Sequence, residues 1–303
     1  MNFRELEYLI AIDEEGHFGK AAERCFVSQP TLSGQLKKLE DELGVMLVER
    51  TKRQVKMTDV GQAVANQARR VIAESKTLKE MAKSFHDPML GELHVGLIPT
   101  VAPYLLPLVM PALKEQCPKL KLWLHEYQTH ILLKKLRNAE LDFLILALPV
   151  ETNEFEKIDL YDEAFRLAVP LSEDLSNKTQ ISLLDLKDKN LLLLEEGHCL
   201  RGQALDVCFS AGASEYSDFQ ATSLETLRYM VAESMGMTLM PELSIPRRPR
   251  KDEAICYIQF SDPQPSRHIG ILYRKESYRQ VAFQLIAKVI TESIIDHKKK
   301  YLT

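Results

Sequence analysis

The stretch from Ser28 to Gly44, SQPTLSGQLKKLEDELG, leaves little choice of local structure. Leu32, Leu36, Leu39 and Leu43 recur at intervals of four, three and four residues, which places them on one face of an α-helix. Both ends are marked. Ser28 can cap the first free N–H groups, Pro30 falls in the first turn where its missing N–H costs little, and Gly44 supplies the stop. The opposite face carries Thr31, Ser33, Gly34, Gln35, Lys37 and Lys38, small or polar side chains followed by cations. That face suits entry into a groove.

The surroundings extend the pattern. Phe3, Leu6, Leu9 and Ile10 predict an amphipathic helix that stops at Gly16, and HFGKAAERC predicts a second short helix whose Ala21-Ala22 pair admits close packing. After the leucine helix, VMLVE and KMTD flank Arg50, Lys52, Arg53 and Lys56, four cations without an anion, and read as a two-stranded wing with a basic tip. Thr58 then caps a helical pattern that runs to about Phe85 with no glycine or proline after Gly61. A helix of that length suits a linker or dimerisation role better than a core role. The expected divisions are 1–58 for the helical pair and wing, 59–88 for the long helix, and 89–303 for the remainder.

That remainder alternates strand-like and helix-like segments: ELHVGLI, PYLLPLVMPALKEQ, LKLWLHE, ILLKKLRNAE, LDFLILAL, and later FRLAVP, NLLLLE, SLETLRYMVAES, GMTLMP, RHIGILYR and QVAFQLIAKVITESII. The alternation predicts an α/β unit with a mostly parallel sheet, large enough for two linked lobes with a cleft between them. Lys298, Lys299 and Lys300 read as a solvated tail. In 303 residues, 45% apolar and 27% charged, the proportions are those of a soluble globular protein. The apolar run Val101–Leu113 is interrupted by Pro103, Pro107 and Pro111 and is too short for a membrane span. No export signal is read at the start, so a cytoplasmic protein is expected. A net charge of −4 excludes whole-molecule attraction to polyanions and places any nucleic-acid contact on the basic island. The five cysteines are odd in number and lack CxxC spacing, which disfavours a disulfide framework or a zinc ribbon; no metal and no cofactor is expected.

On pattern alone, the helix pair could also be a small interaction domain with a solvated charged face. The run SQPTLSGQLKKLEDELGVMLVERTKRQVKMTDVG, with AAERC upstream, resembles the N-terminal winged helix-turn-helix of LysR-type transcriptional regulators, a long and specific motif. LIPTVAPYLLP, LHEYQTH, GHCLRGQAL and ATSLETLR are similar to the peroxide-sensing members of that family, so the resemblance covers nearly the whole chain. It implies a periplasmic-binding-protein-like regulatory domain, with lobe I at about 89–162 and 267–303 and lobe II at about 163–266. It also implies a non-enzyme that binds double-stranded promoter DNA as a dimer of dimers, takes hydrogen peroxide as its signal, and has RNA polymerase among its candidate partners. The implied DNA-contacting residues are Gln29, Pro30, Thr31, Ser33, Gln35 and Lys37 on the helix and Arg50, Lys52 and Arg53 on the wing.

Cys199 and Cys208 lie in EEGHCLRGQALDVC. Leu200, Ala204, Val207 and Cys208 share one apolar helical face, which points Cys208 into a core and leaves Cys199 at the helix start. There it meets the positive end of the helix dipole, with His198 and Arg201 adjacent, and both influences favour the thiolate. Over nine helical residues the two Cα atoms stand roughly 13.5 Å apart. A disulfide needs them within about 7 Å, so a bond between them requires the helix to unwind. Taken alone, such a pair reads most simply as two inert buried cysteines, and a metal site using His198, Cys199 and Cys208 is a weaker third reading. The resemblance makes Cys199 the peroxide-reactive thiol and Cys208 the resolving one, with Thr100, Thr129, His198, Gln203 and Arg267 lining the peroxide pocket. Thr100 and Thr129 follow predicted strands, where α/β sheets bind ligands, although a helix cap is the commoner role for such a threonine. Cys25, Cys117 and Cys256 are read as ordinary.

One position departs from the family pattern. Peroxide-sensing members often carry an aspartate after LR in GHCLR, and this chain has Gly202, which removes any proton relay through that carboxylate. Glycine also loosens the first helical turn by about 1 kcal/mol relative to alanine.

Two rivals remain at this level. One is a LysR-type regulator that binds a metabolite in the inter-lobe cleft and has inert cysteines. The other is a thiol peroxidase or oxidoreductase, which would have no use for a winged helix-turn-helix. Lys52→Ala is expected to weaken binding to all DNA sequences alike and to lower the slope of log affinity against log salt by about one. An unchanged slope in an anisotropy titration counts against a backbone contact by the wing.

Overall fold

A computed structural model describes residues 1–50, 55–84, 87, 89–150, 152–246 and 254–302. The chain forms two compact units, Met1–Asp87 with Arg137–Glu140, and Pro88–Leu136 with Leu141–Thr303.

The first unit contains α1 (Phe3–Glu15), α2 (Phe18–Arg24), α3 (Gln29–Leu43), the antiparallel strands β1 (Val48–Arg50) and β2 (Val55–Met57), and α4 (Asp59–Ser84). Its helix ends follow the sequence signals. Asn2 and Glu5 form a capping box on α1, and Ser28 Oγ accepts from Thr31 N at the start of α3. Gly16 and Gly44 end α1 and α3 in the left-handed region at φ 58° and 69°. His17 caps α2 through Nδ1, which accepts from Gly19 and Lys20 N–H. Leu9, Ile12, Ala21, Leu32, Leu36, Leu39 and Leu47 make a closed core. Leu43, the fourth leucine of the stripe, is exposed, because the chain turns away at Gly44 before another element can cover it. Glu40 is buried instead, and its carboxylate accepts from Leu47 N–H at 2.8 Å and Val48 N–H at 3.2 Å, fastening the wing to α3.

The second unit begins with β3 (Gly91–Leu97), α5 (Ala102–Gln116), β4 (Leu120–Glu126), α6 (Thr129–Arg137), β5 (Phe143–Leu148) and the long β6 (Phe155–Pro170). It continues through β7 (Gln180–Ile181), β8 (Asn190–Leu194), α7 (Cys199–Ala211), β9 (Ser214–Ala221), α8 (Leu224–Ala232) and β10 (Thr238–Pro241). The last elements are β11 (Ile255–Phe260), β12 (Ser266–Arg274) and α9 (Gln280–Leu302). The main sheet has the order β4-β3-β5-β12-β6-β11-β7, with β10 also on β6, and β8 pairs with β9 in a separate sheet.

The sheet is mixed rather than mostly parallel. β3 is parallel to β4 and β5, whereas β6 runs antiparallel to β12, β10 and β11. The cause is β6 itself, sixteen residues long: its first part pairs with β12 and its last part with β10 and β11. One hydrophobic cluster gathers β3, β5, the start of β6, β12, α5, α6 and α9, and the other gathers the end of β6, β8, β10, β11, α7 and α8. These clusters are the two lobes.

Pro103, Pro107 and Pro111 do not break α5. Spaced by four, they share one exposed face, opposite the buried Leu105, Val109 and Leu113, so the missing N–H groups fall on the solvent side. Lys298, Lys299 and Lys300 are exposed, as the reading of a solvated segment expects, but they belong to α9, and Lys298 Nζ donates to the Asp162 carbonyl at 2.9 Å. Among the described residues, no helix is long and apolar enough to cross a membrane. Glu40→Ala is expected to destabilise the first unit by about 2 kcal/mol, because two buried N–H groups lose their acceptor. Thermal unfolding should show a lowered midpoint for that unit alone, with Glu40→Gln milder because one oxygen is kept.

Candidate thiol site and nucleic-acid interface

On α3, Gln29, Pro30, Thr31 and Lys37 are exposed, and Ser33 and Gln35 are half-buried. Thr31 and Gln35 line an open groove with Asn2, Arg4 and Tyr8 at the start of α1. Lys38 is turned aside: its ammonium donates to the buried Glu5 carboxylate at 2.9 Å and holds that carboxyl below its ordinary range. Lys37, by contrast, is exposed and makes no ion pair among the described residues. Lys52 and Arg53 lie outside the described residues, as does the side chain of Arg50, whose backbone ends β1.

In the second unit, α7 starts at Cys199 as the sequence predicts. Leu200 and Ala204 are buried, and Leu205 and Val207 pack beside them in the second cluster. The half-buried Cys199 packs instead against the first cluster. The head of the helix and its body therefore belong to different cores. The side chain of Cys208 lies outside the described part; its backbone is helical, within α7.

The turn before Cys199 is held by Gln128, a residue the sequence reading passed over beside Thr129. Gln128 Nε2 donates to Glu195 Oε1 at 3.2 Å and to the Glu196 carbonyl at 3.4 Å. Gly197 sits in the left-handed region at φ 93°, and a Cβ there would stand 2.5 Å from Gln128 Oε1. Glycine is needed at this contact both for its backbone angle and for the close approach.

The cationic flank expected around Cys199 is not free. Arg201 makes two bonds to Glu215, at 2.6 and 2.8 Å, and one to the Leu194 carbonyl, so its charge is matched. His198 is buried, and burial pushes its imidazole toward the neutral form against the smaller pull of Glu195 at 3.9 Å. Gly202 is exposed and a Cβ there would meet nothing within 4 Å, so the site has room for the aspartate the family pattern expects.

Arg267 and Thr100 are brought together. Both are buried, and Arg267 donates through Nη1 to Thr100 Oγ1 at 3.0 Å and through Nη2 to the Thr100 carbonyl at 2.9 Å. The other side of the guanidinium meets Glu163, with Nε at 2.8 Å and Nη2 at 2.7 Å from Oε2. Glu163 Oε1 accepts from Leu243 N–H at 2.8 Å. A guanidinium has no lone pair to offer, so Thr100 Oγ1 must be the acceptor and its own proton points elsewhere. Among the described residues, the buried Thr129 Oγ1 and Gln203 Oε1 have no hydrogen-bond partner. For Thr129 this sets the helix-cap role aside. His198 makes no hydrogen bond with these four.

A helix-turn-helix with a wing, joined in one chain to a two-lobed α/β unit, defines a DNA-binding regulator with a regulatory domain. The chain belongs to the LysR family. Residues 3–62 match the family model described as bacterial regulatory helix-turn-helix protein, lysR family, and residues 86–294 match the LysR substrate binding domain. It is 50% identical over 292 residues to the hydrogen peroxide-inducible genes activator of Pectobacterium carotovorum subsp. carotovorum, covering 96% of each chain. It is 49% identical to the DNA-binding transcriptional dual regulator OxyR of Escherichia coli (strain K12), covering all of this chain and 99% of that one. The solved full-length OxyR C199D from Pseudomonas aeruginosa is 39% identical, with a TM-score of 0.77 over 96% of this chain and 94% of that chain.

Glu163→Gln is expected to destabilise the second unit by about 3 to 5 kcal/mol, since it strands the Arg267 charge inside the protein. Urea unfolding of the two units, followed separately, should place the loss in the second one only.

Proposed function

We propose that this chain is a cytoplasmic transcription regulator that senses hydrogen peroxide through Cys199 and Cys208 and acts on oxidative-stress genes. The observation that carries the reading is the helical phase of α7, which sets two cysteines nine residues apart in a segment that must unwind before they can bond. The Cys199 thiolate attacks one oxygen of the peroxide, giving a sulfenic acid and hydroxide. The Cys208 thiolate then attacks the Cys199 sulfur, forming the disulfide and releasing a second hydroxide. The names of the relatives at 49–50% identity support peroxide as the signal.

The site offers peroxide fixed polar groups. The Thr100 hydroxyl proton, directed away from Arg267, is a donor, and the buried Thr129 Oγ1 and Gln203 Oε1 are atoms without protein partners. His198, buried and kept toward the neutral form, supplies a ring nitrogen. Arg267 is bonded to Thr100 and Glu163 through Nε, Nη1 and Nη2 and serves here to position Thr100. With Gly202 in place of a carboxylate, water carries the proton to the leaving oxygen.

On DNA, Gln29, Pro30, Thr31, Ser33, Gln35 and Lys37 face base edges and nearby phosphates, and Arg50, Lys52 and Arg53 face the backbone. Val60, Val71, Leu78 and Met81 are exposed on α4, an apolar stripe that supports self-association into a dimer of dimers; RNA polymerase is a further partner. The family membership weighs against a peroxidase.

The test combines mass spectrometry after near-stoichiometric peroxide with DNA footprinting, on wild type and Cys199→Ser. A Cys199–Cys208 disulfide with an altered footprint is expected in wild type, and neither in the variant. An unmodified Cys199, or one footprint before and after peroxide, defeats the reading and favours a metabolite-responsive regulator.

A further inference from the structure

The pairing of β6 with β12 carries one irregularity. From Ser266 to Ile269 the partners on β6 run from Ala164 to Tyr161, and Gly270 then faces Asp159, so Leu160 has no partner on β12 and forms a bulge. In a regular strand Asp159 and Asp162, three positions apart, project to opposite faces. The extra residue brings both onto the face of His268, which pairs with Asp162 directly and with Asp159 on the diagonal. Gly270, opposite Asp159, puts no side chain between that carboxylate and the ring.

Both nitrogens of His268 are occupied. Nδ1 stands 2.7 Å from Asp162 Oδ1, and Nε2 stands 3.0 Å from Asp159 Oδ1. An ionised carboxylate offers only lone pairs, and a neutral imidazole has a single N–H. Both contacts are therefore hydrogen bonds only when the ring carries two protons and a positive charge. The bond to Asp162 raises the imidazole above the ordinary histidine range, partial burial opposes it, and the bond to Asp159 adds to it. The same ring, more than any other group, holds the Asp159 carboxyl below its ordinary range.

Other charges stand at the edges of this trio. Lys157 Nζ lies 3.6 Å from Asp159, and from α9 Lys298 donates to the Asp162 carbonyl while His297 lines the same cavity as Asp162. On the other side, β5 sets the uncharged Leu148 opposite His268. Arg267 and Glu163, the next pair in register, alternate to the buried face and bind each other. The bulge also marks a boundary. Leu160 and Tyr161 belong to one hydrophobic cluster, and Phe165, four residues on, belongs to the other.

When the ring gives up a proton, one N–H is left for two carboxylates. The shorter bond, to the directly paired Asp162, keeps it, and Asp159 is left facing a lone pair. We propose that His268 is a proton-operated clasp, which in its doubly protonated form ties β6 across the bulge where the strand passes between the lobes, and in its neutral form lets Asp159 go. Because the imidazole is raised in the folded chain, the clasp contributes fully below the ordinary histidine pKa of about 6.5, and its contribution is lost as the pH rises through the raised value. Protons thus act on the β6–β12 ladder and not on α7.

The test follows the histidine Cε1–H signals of the full reduced chain by NMR against pH, with His268 assigned by the signal lost in His268→Gln. Its midpoint is expected above that of free histidine and lower in Asp159→Asn and in Asp162→Asn. Amide exchange of the segment 157–162, corrected for its intrinsic pH dependence, should quicken about two- to fivefold in wild type from about pH 6 to about pH 8, the scale of a partly exposed ion pair. The same segment should show no such change in His268→Gln. Cys199→Ser should titrate as wild type does, which keeps the clasp apart from the thiol chemistry. A wild-type midpoint at the free-histidine value, a midpoint unmoved in both asparagine variants, or an unchanged exchange profile in His268→Gln overturns the proposal.

Discussion

One buried ion pair governs how the halves of the regulatory unit are joined. Arg267 and Glu163 face each other in register on β12 and β6, at the point where the sheet passes from one hydrophobic cluster to the other. Full charges at such a place are tolerated only when every neighbouring group answers them. Here Thr100, in the turn after β3, answers the guanidinium, and Leu243 N–H, in the turn after β10, answers the carboxylate. The pair adds less to net stability than to definition. An apolar contact could slide, whereas this set of bonds exists in a single arrangement. Of the polar groups assigned to peroxide, Thr100 takes its position from it.

The reactive thiol stands on a joint of a different kind. Cys199 contributes to one core while the next residue, Leu200, contributes to the other, and Gln128 pins the turn just before them. An oxygen added to that half-buried sulfur meets side chains of the first cluster, and packed interiors transmit such changes instead of absorbing them. The surrounding charges are arranged for quiet. Arg201 is occupied by Glu215, and His198 is kept neutral by burial, so the reactivity in this reading comes from position and from the atoms around the peroxide.

Much of this was legible in the residues, and the exceptions have physical causes. Helix limits at Ser28, Gly44, Gly16 and Thr58 could be read because capping is local chemistry. The start of α7 at Cys199 followed from Leu200, Ala204 and Val207. β6 was seen only in its last part, since FEKIDLYDEA alternates poorly: that part borders solvent on one side and carries the buried Glu163. Without β6 as a long crossing strand, the antiparallel half of the sheet was invisible. Gln128 and Glu163 share a reason for being missed. Their roles depend on partners 67 and 104 residues away, Glu195 and Arg267, and no short window contains both ends. Thr129 and Gln203 came from family resemblance, and the structure adds that their oxygens are buried without partners.

β8, α7 and β9 form a small parallel strand-helix-strand unit with a ladder of its own, tied to β10 through the Leu191–Met237 bridge and the Thr238 Oγ1 bond to the Leu192 carbonyl, and packed into the second hydrophobic cluster. This segregation limits the damage that rebuilding α7 can do. The amides of β6 and β12 belong to a ladder that such an event need not open, while those of α7 and β9 belong to a different ladder and helix, the level at which proteins open in parts. Under the proposed switch, the piece of the regulatory domain that changes is one whose backbone ladder is separate from that of the main sheet, so the two lobes keep their own hydrogen bonds while α7 is rebuilt.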